Sequence, residues 1–216
     1  LICEKWSANY GYLPDAIVVE GPKAGGHLGF KNEQIEDEHY SLEHLIPEVV
    51  EVARSYAGRK GIPVIAAGGI ATGEDIARFM ALGASAVQMG SIFVPTEECD
   101  ASVEFKQVYL NAHREDIRII QSPVGMPGRA FDGEFIRNVA EGKEKPRSCP
   151  FHCIKTCDYT KSPYCIIKAL YNAARGNMKK GYAFAGGNAY LSDRIRSVKE
   201  VIEKLKADFF LSKALL

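Results

Sequence analysis

The chain has 216 residues, of which 46% are apolar, enough to bury the core of one globular domain at the usual ~100–200 residues per domain. Its 27 basic residues balance its 27 acidic ones, so no net field draws it to nucleic acid or to an anionic membrane. No apolar run approaches the ~20 residues that span a bilayer, and no cleavable signal pattern is visible. A cytoplasmic location and small-molecule partners are therefore expected, with a homodimer left open.

In chain order, residues 1–12 read as the end of a helix and its loop. With Leu rather than Met at position 1, the chain is read as the later part of a longer protein. Three short apolar runs follow, at residues 15–20, 62–67 and 84–89, each bounded by turn signals and too short for a buried helix. They are expected to be parallel strands covered on both faces. Between the first two, residues 42–57 carry Leu45, Ile46, Val49, Val50 and Ala53 at helical offsets. Residues 73–82 supply a second helix between the last two. The order is strand, helix, strand, helix, strand.

Each strand is followed by glycine: Gly25-Gly26-His27, Ala66-Ala67-Gly68-Gly69 and Gln88-Met89-Gly90-Ser91. Glycine removes the Cβ that keeps an anion off the main chain, and a helix opening next adds donor N–H groups and the positive end of its dipole. Three such turns in succession suit a phosphorylated ligand, although any one of them alone reads more often as a tight turn. The run from Ile117 to Ala130 is β-rich and ends in Pro127-Gly128-Arg129. Residues 141–147, charged and holding Pro146, read as an exposed linker.

Four of the six cysteines then fall together as Cys149, Cys153, Cys157 and Cys165. Offsets of four place the first three on one helical stripe, and gathered thiolates suit a soft metal, as zinc or as an iron–sulfur cluster. Redox-sensitive thiols and buried apolar cysteines are the other readings. His152 is a candidate fourth ligand or a surface imidazole; Cys3 and Cys99 are isolated. Near the end, Gly186-Gly187-Asn188 makes a turn, and Ser192 is expected to cap a helix with Ile195, Val198, Val201, Ile202 and Leu205 on its apolar stripe.

The run Val19-Glu20-Gly21-Pro22-Lys23-Ala24-Gly25-Gly26-His27, with Pro63-Val64-Ile65-Ala66-Ala67-Gly68-Gly69-Ile70-Ala71-Thr72-Gly73 and Ala86-Val87-Gln88-Met89-Gly90-Ser91, resembles the nitronate monooxygenase family and the related flavin enoyl-acyl-carrier-protein reductases. The resemblance implies an α/β fold, the C-terminal part of an FMN-binding TIM (β/α)8 barrel, here with a cysteine-rich helical C-terminal extension. A whole barrel takes about 250 residues, so the strands present would be the sixth, seventh and eighth. The expected division is 1–140 for the barrel, 141–180 for the cysteine-rich insertion and 181–216 for the closing turn and helix.

The same resemblance implies the site. His27 matches the catalytic histidine, and an imidazole with an ordinary pKa of ~6.5 serves as acid or base near neutrality. Glu20 stands where many members have a glutamine that contacts the flavin. Gly25, Gly26, Gly68 and Gly69 match backbone contacts, and Gln88, Met89, Gly90 and Ser91 match the segment closing over the phosphate. Met126 is expected to border the substrate pocket or to fill core or loop. His39, His44 and His113 read as surface residues. The expected activity is FMN-dependent oxidation of alkyl nitronates or nitroalkanes with dioxygen as acceptor. The alternatives are an NAD(P)H-dependent reductase of enoyl thioesters, an electron-transfer variant built on the cysteines, and a truncated metal-binding or interaction module without enzyme activity.

Overall fold

A parallel sheet forms where the apolar runs demanded one. In the computed structural model, which describes residues 1–56, 61–153, 155 and 157–214, strands β1 (Ile17–Glu20), β3 (Val64–Ala67) and β4 (Ala86–Gln88) pair in the order β1-β3-β4, all parallel. The register sets Glu20 opposite Ala67 and Ala67 opposite Gln88. All three strands therefore finish side by side at their carboxyl ends. Helices α2 (Leu42–Tyr56) and α3 (Gly73–Ala81) make the two crossovers; Ala57, the last residue of the expected first helix, lies outside the described residues.

The chain divides into two compact units, one of Leu1–Pro22, Glu33–Met89 and Ile202–Leu216, the other of Lys23–Asn32 and Gly90–Val201. In the first, α2 turns Leu42, Ile46, Val50 and Ala53 inward onto Val64 and Ala66 of β3, with Phe79 of α3 joining them. That is the i, i+4, i+8, i+11 face of one helix. Helix α1 (Ile2–Tyr10) contributes Cys3 to the same core. Helix α3 begins with a reciprocal cap: Thr72 Oγ1 accepts from Asp75 N–H at 3.1 Å, and Asp75 Oδ2 accepts from Thr72 and Ala71 N–H at 3.0 Å each.

Coverage on both faces is found only for β3, which lies between two partners and is almost wholly buried. The expectation fails for β1 and β4. Each alternates between half-buried and exposed positions, with Val18 at 50% exposure, because no described element of the unit covers their second face.

The second unit is built on an antiparallel sheet in the order β2-β6-β5, from β2 (Gly26–His27), β5 (Ile117–Gln121) and β6 (Pro127–Phe131). The β-rich run is thus a hairpin, closed by a turn in which Ser122 N–H donates to Met126 O at 3.1 Å and Gly125 N–H to Ser122 O at 3.0 Å. Past β2, residues 183–185 continue along β6: Phe131 N–H donates to Ala183 O and Ala185 N–H to Arg129 O. Helices α5 (Glu134–Ala140) and α6 (Ile166–Ala174) bring Phe135, Ile166 and Ala169 onto Ala130 of β6, and α4 (Val103–Leu110) brings Tyr109 onto Phe131.

Two expectations about helices are corrected. The last helix, α7 (Val198–Lys213), starts six residues after Ser192. Its cap is Ser197, whose Oγ accepts from Glu200 N–H at 3.2 Å while Glu200 Oε2 accepts from Ser197 N–H at 2.9 Å. This reciprocal pair satisfies two end donors, whereas Ser192 ends the short 3-10 turn Ala189–Leu191 in extended conformation. The cysteine-rich segment is not helical either. No helix or strand is formed among its described residues before α6 opens directly after Cys165. Pro150 biases Cys149 away from the helical region, and His152 sits at φ 45, left-handed and incompatible with a right-handed helix. Ile154 and Thr156 of this run lie outside the described residues.

Candidate active site

His27 is carried on the shortest strand of the second unit. The register of β2 sets it opposite Gly128 of β6, and the next residue, Leu28, donates its N–H to Pro127 O at 2.8 Å. Leu28 is buried at 1% exposure, so it anchors the strand while His27 remains half-buried. The other four histidines, 39, 44, 113 and 152, are all exposed, as expected for His39, His44 and His113.

The imidazole is held on two sides. Its Nε2 lies 2.7 Å from Ser122 Oγ, and its ring meets Phe184 edge-on with centroids 5.0 Å apart. Ser122, buried in the hairpin turn, also accepts Val124 N–H at 3.4 Å and reaches the Tyr164 hydroxyl. Tyr164 in turn donates to Tyr182 at 3.1 Å. Burial pushes both phenols above their ordinary value, so both remain protonated near neutrality. Tyr109 fixes the other wall by donating to Phe184 O at 2.6 Å. The result is a hydrogen-bonded line, His27–Ser122–Tyr164–Tyr182.

Sequence reasoning did not find Ser122, Tyr164, Tyr182 or Phe184. Ser122 stands 95 residues from His27, and its Ser-Pro-Val-Gly context signals a turn only. Met126, at the same hairpin, is exposed at 39%, which excludes a core role.

The glycines divide by purpose. A Cβ on Gly25 would lie 2.6 Å from Gly186 N and 2.7 Å from Ala185 C, so this glycine is needed for close packing of two backbones. Gly187 N–H donates to Lys23 O at 2.9 Å across the same contact, and Gly186 N–H donates to Ser91 Oγ at 2.9 Å. The Gly186-Gly187 turn is thereby joined to both Gly25 and Ser91. Ser91 keeps its own proton and a lone pair for another partner. Gly90 differs: φ is −128, and a Cβ there would have nothing within 4 Å. Neither conformation nor packing of this chain calls for glycine at that position.

In the first unit, Glu20, Ala67 and Gln88 close the three parallel strands, and Gly68 and Gly69 follow β3 with φ of 97 and 77, a left-handed pair that only glycine adopts without strain. Burial holds the Glu20 carboxyl above its ordinary range. Gln88 is exposed, whereas Met89 packs against the core. One part of the phosphate expectation changes. The N-terminus of α3 is taken by its own Asp75, which receives the Ala71 and Thr72 amides. A carboxylate of the chain itself already complements that end of the helix dipole.

The four clustered cysteines are free thiols and line one small cavity with Pro123, Tyr164 and others. The Cys157 thiol is held above its ordinary value by desolvation and then by the charges of Cys149, Cys153 and Cys165. Among the described residues, no three His, Cys, Asp or Glu side chains are gathered as a single metal ion would need. His152 is exposed and is not among the residues lining that cavity.

A parallel strand–helix alternation ending in glycine turns, with a half-buried histidine fixed by a serine, is the organisation of an α/β enzyme. The nitronate monooxygenase family model matches residues 1–208, and the chain belongs to that family. It is 33% identical over 191 residues to a probable nitronate monooxygenase of Staphylococcus aureus (strain Newman), covering 88% of this chain and 52% of that protein. Among solved structures it is similar to FabK from Thermotoga maritima, with a TM-score of 0.70 and 29% identity over 93% of this chain and 56% of that one. It is also similar to nitroalkane oxidase from Streptomyces ansochromogenes, with a TM-score of 0.66 and 26% identity over 93% and 53%. The chain spans about half the length of these relatives. Among the described residues no helix is long and apolar enough to cross a membrane.

Proposed function

We infer that this chain carries the proton-handling and FMN-contacting residues of an oxidoreductase that oxidises alkyl nitronates, or the parent nitroalkanes, with dioxygen as the acceptor. The observation that carries this reading is the 2.7 Å contact of His27 Nε2 with a buried serine hydroxyl, in a member of the nitronate monooxygenase family.

One proton order along that line satisfies every donor and acceptor. Tyr164 donates to Tyr182, so its oxygen can accept the Ser122 proton. Ser122 Oγ is then free to accept both Val124 N–H and His27 Nε2–H, which uses its one donor and two acceptor positions fully. Nδ1 is left as the basic nitrogen of a neutral imidazole. A C–H beside a nitro group is acidic, so Nδ1 can take that proton and the resulting imidazolium can stabilise the nitronate anion. Where the substrate arrives as the nitronate, the same ring orients it and neutralises its charge.

The residues present suit FMN. Gly90 is bare in open space and Ser91 retains a free hydroxyl proton, while the left-handed Gly68-Gly69 turn follows a parallel strand; these are the proposed phosphate donors. Glu20, Gly25, Gly26, Gln88 and Met89 are the remaining proposed contacts, with Gly25 acting through the shape of its loop. FMN, when bound, supplies the two-electron acceptor that imidazole chemistry lacks. The three parallel strands are read as the closing strands of a TIM barrel.

Similarity to FabK favours a second reading, an NAD(P)H-dependent enoyl-thioester reductase. Anaerobic mixing of the flavin-loaded protein with propyl-2-nitronate or with NAD(P)H separates the two. Bleaching by the nitronate alone supports the first, and bleaching by NAD(P)H alone supports the second. Colourless folded protein that binds no added FMN would overturn both and leave a non-catalytic module.

A further inference from the structure

We propose that Cys149, Cys153, Cys157 and Cys165 hold an iron–sulfur cluster in the cavity they line.

The placement is specific. Four of the six cysteines, drawn from a stretch of seventeen residues, face one cavity of about 20 Å³. Cys3 is buried in the core of the first unit and Cys99 lies elsewhere. None of the four is joined in a disulfide. Regular structure does not bring them together, because no helix or strand is formed among the described residues between α5 and α6. His152, between Cys149 and Cys153, has a left-handed φ of 45, and both cysteines line the cavity from an irregular loop. Thiolate–metal bonds are the device by which small irregular segments are commonly ordered.

The choice between one ion and a cluster rests on spacing. Four thiolates around a single zinc all lie ~2.3 Å from it, and among the described residues no three His, Cys, Asp or Glu side chains form a group that could hold one metal ion. A cluster core of several irons and sulfides takes its four thiolates at wider separation, one per iron in the cubane form. Four cysteines that share a cavity without closing on a point match the wider arrangement. The cavity also adjoins the histidine line: Tyr164 and Pro123 line it, while Tyr164 contacts Ser122 and Pro123 follows it in sequence. A cluster here would stand behind the residues that hold His27.

The test needs neither FMN nor turnover. The protein is purified anaerobically, reconstituted with ferrous iron and sulfide, and assayed for iron, acid-labile sulfide, zinc and visible absorption. The expected result is iron and sulfide in equal amounts, roughly two or roughly four of each per chain, with a broad band bleached by dithionite. Cys149→Ser and Cys165→Ser should each lose most of both elements, while Cys99→Ser keeps them; circular dichroism checks that the variants fold. Stoichiometric zinc without sulfide, or folded wild-type protein that takes up no iron with all thiols titrating free, would overturn the proposal.

Discussion

Under the proposed function, Ser122 is the residue that positions His27 for its chemistry. It fixes one ring nitrogen, and the proton order along the line sets which nitrogen is basic. Losing one hydrogen bond of this kind is worth about 1–1.5 kcal/mol, so Ser122→Ala is expected to lower kcat/KM for a nitroalkane roughly tenfold. The melting temperature should also fall, because the partners of a buried hydroxyl are left unsatisfied, and the pH at which activity half-rises should move. An unaltered pH profile would make Ser122 merely a turn residue. Glu20 gives a second prediction. Burial raises its carboxyl above the ordinary value of 4.5, so the folded chain binds the proton more readily than the unfolded one. Stability from this group is present at low pH and is lost as pH rises through the raised value. Glu20→Gln should therefore gain on the wild type in melting temperature as pH rises above the ordinary carboxyl value; a difference independent of pH would contradict this. His27 could be singled out from its turn and its family resemblance. Ser122 could not, because a contact across 95 residues leaves no mark on local spacing.

At the scale of elements, the strands and crossover helices were legible because burial alone dictates them: short apolar runs between turns, and a four-residue repeat in α2. The misreadings came where backbone chemistry outranked spacing. Cys149, Cys153 and Cys157 have helical offsets, yet Pro150 and the left-handed His152 forbid the helix. The start of α7 was signalled by Ser197-x-x-Glu200, a capping box that Ser192 lacks. The glycine turns separate cleanly by substitution. Gly25→Ala drives a Cβ to 2.6 Å from a backbone nitrogen and should cost about 1–3 kcal/mol in denaturant unfolding. Gly90→Ala meets nothing within 4 Å; its stability should stay within about 0.5 kcal/mol of wild type, while FMN affinity falls. If Gly90→Ala bound FMN normally, the phosphate role proposed for that turn would be lost.

For the whole molecule, family membership rests on a match over residues 1–208. Composition gave a balance of 27 basic against 27 acidic residues, but it held no information on the antiparallel sheet that carries His27. His27 joins that sheet on a two-residue strand, β2, paired with β6. The central claim is that His27 moves a proton in a flavin reaction, and the most direct measurement compares neutral 2-nitropropane with preformed propyl-2-nitronate in flavin-loaded wild type and His27→Asn. The account predicts a loss of roughly 10²–10⁴-fold on the neutral substrate and a much smaller loss on the nitronate, with FMN still bound. Equal losses on both substrates, or none on either, would contradict it.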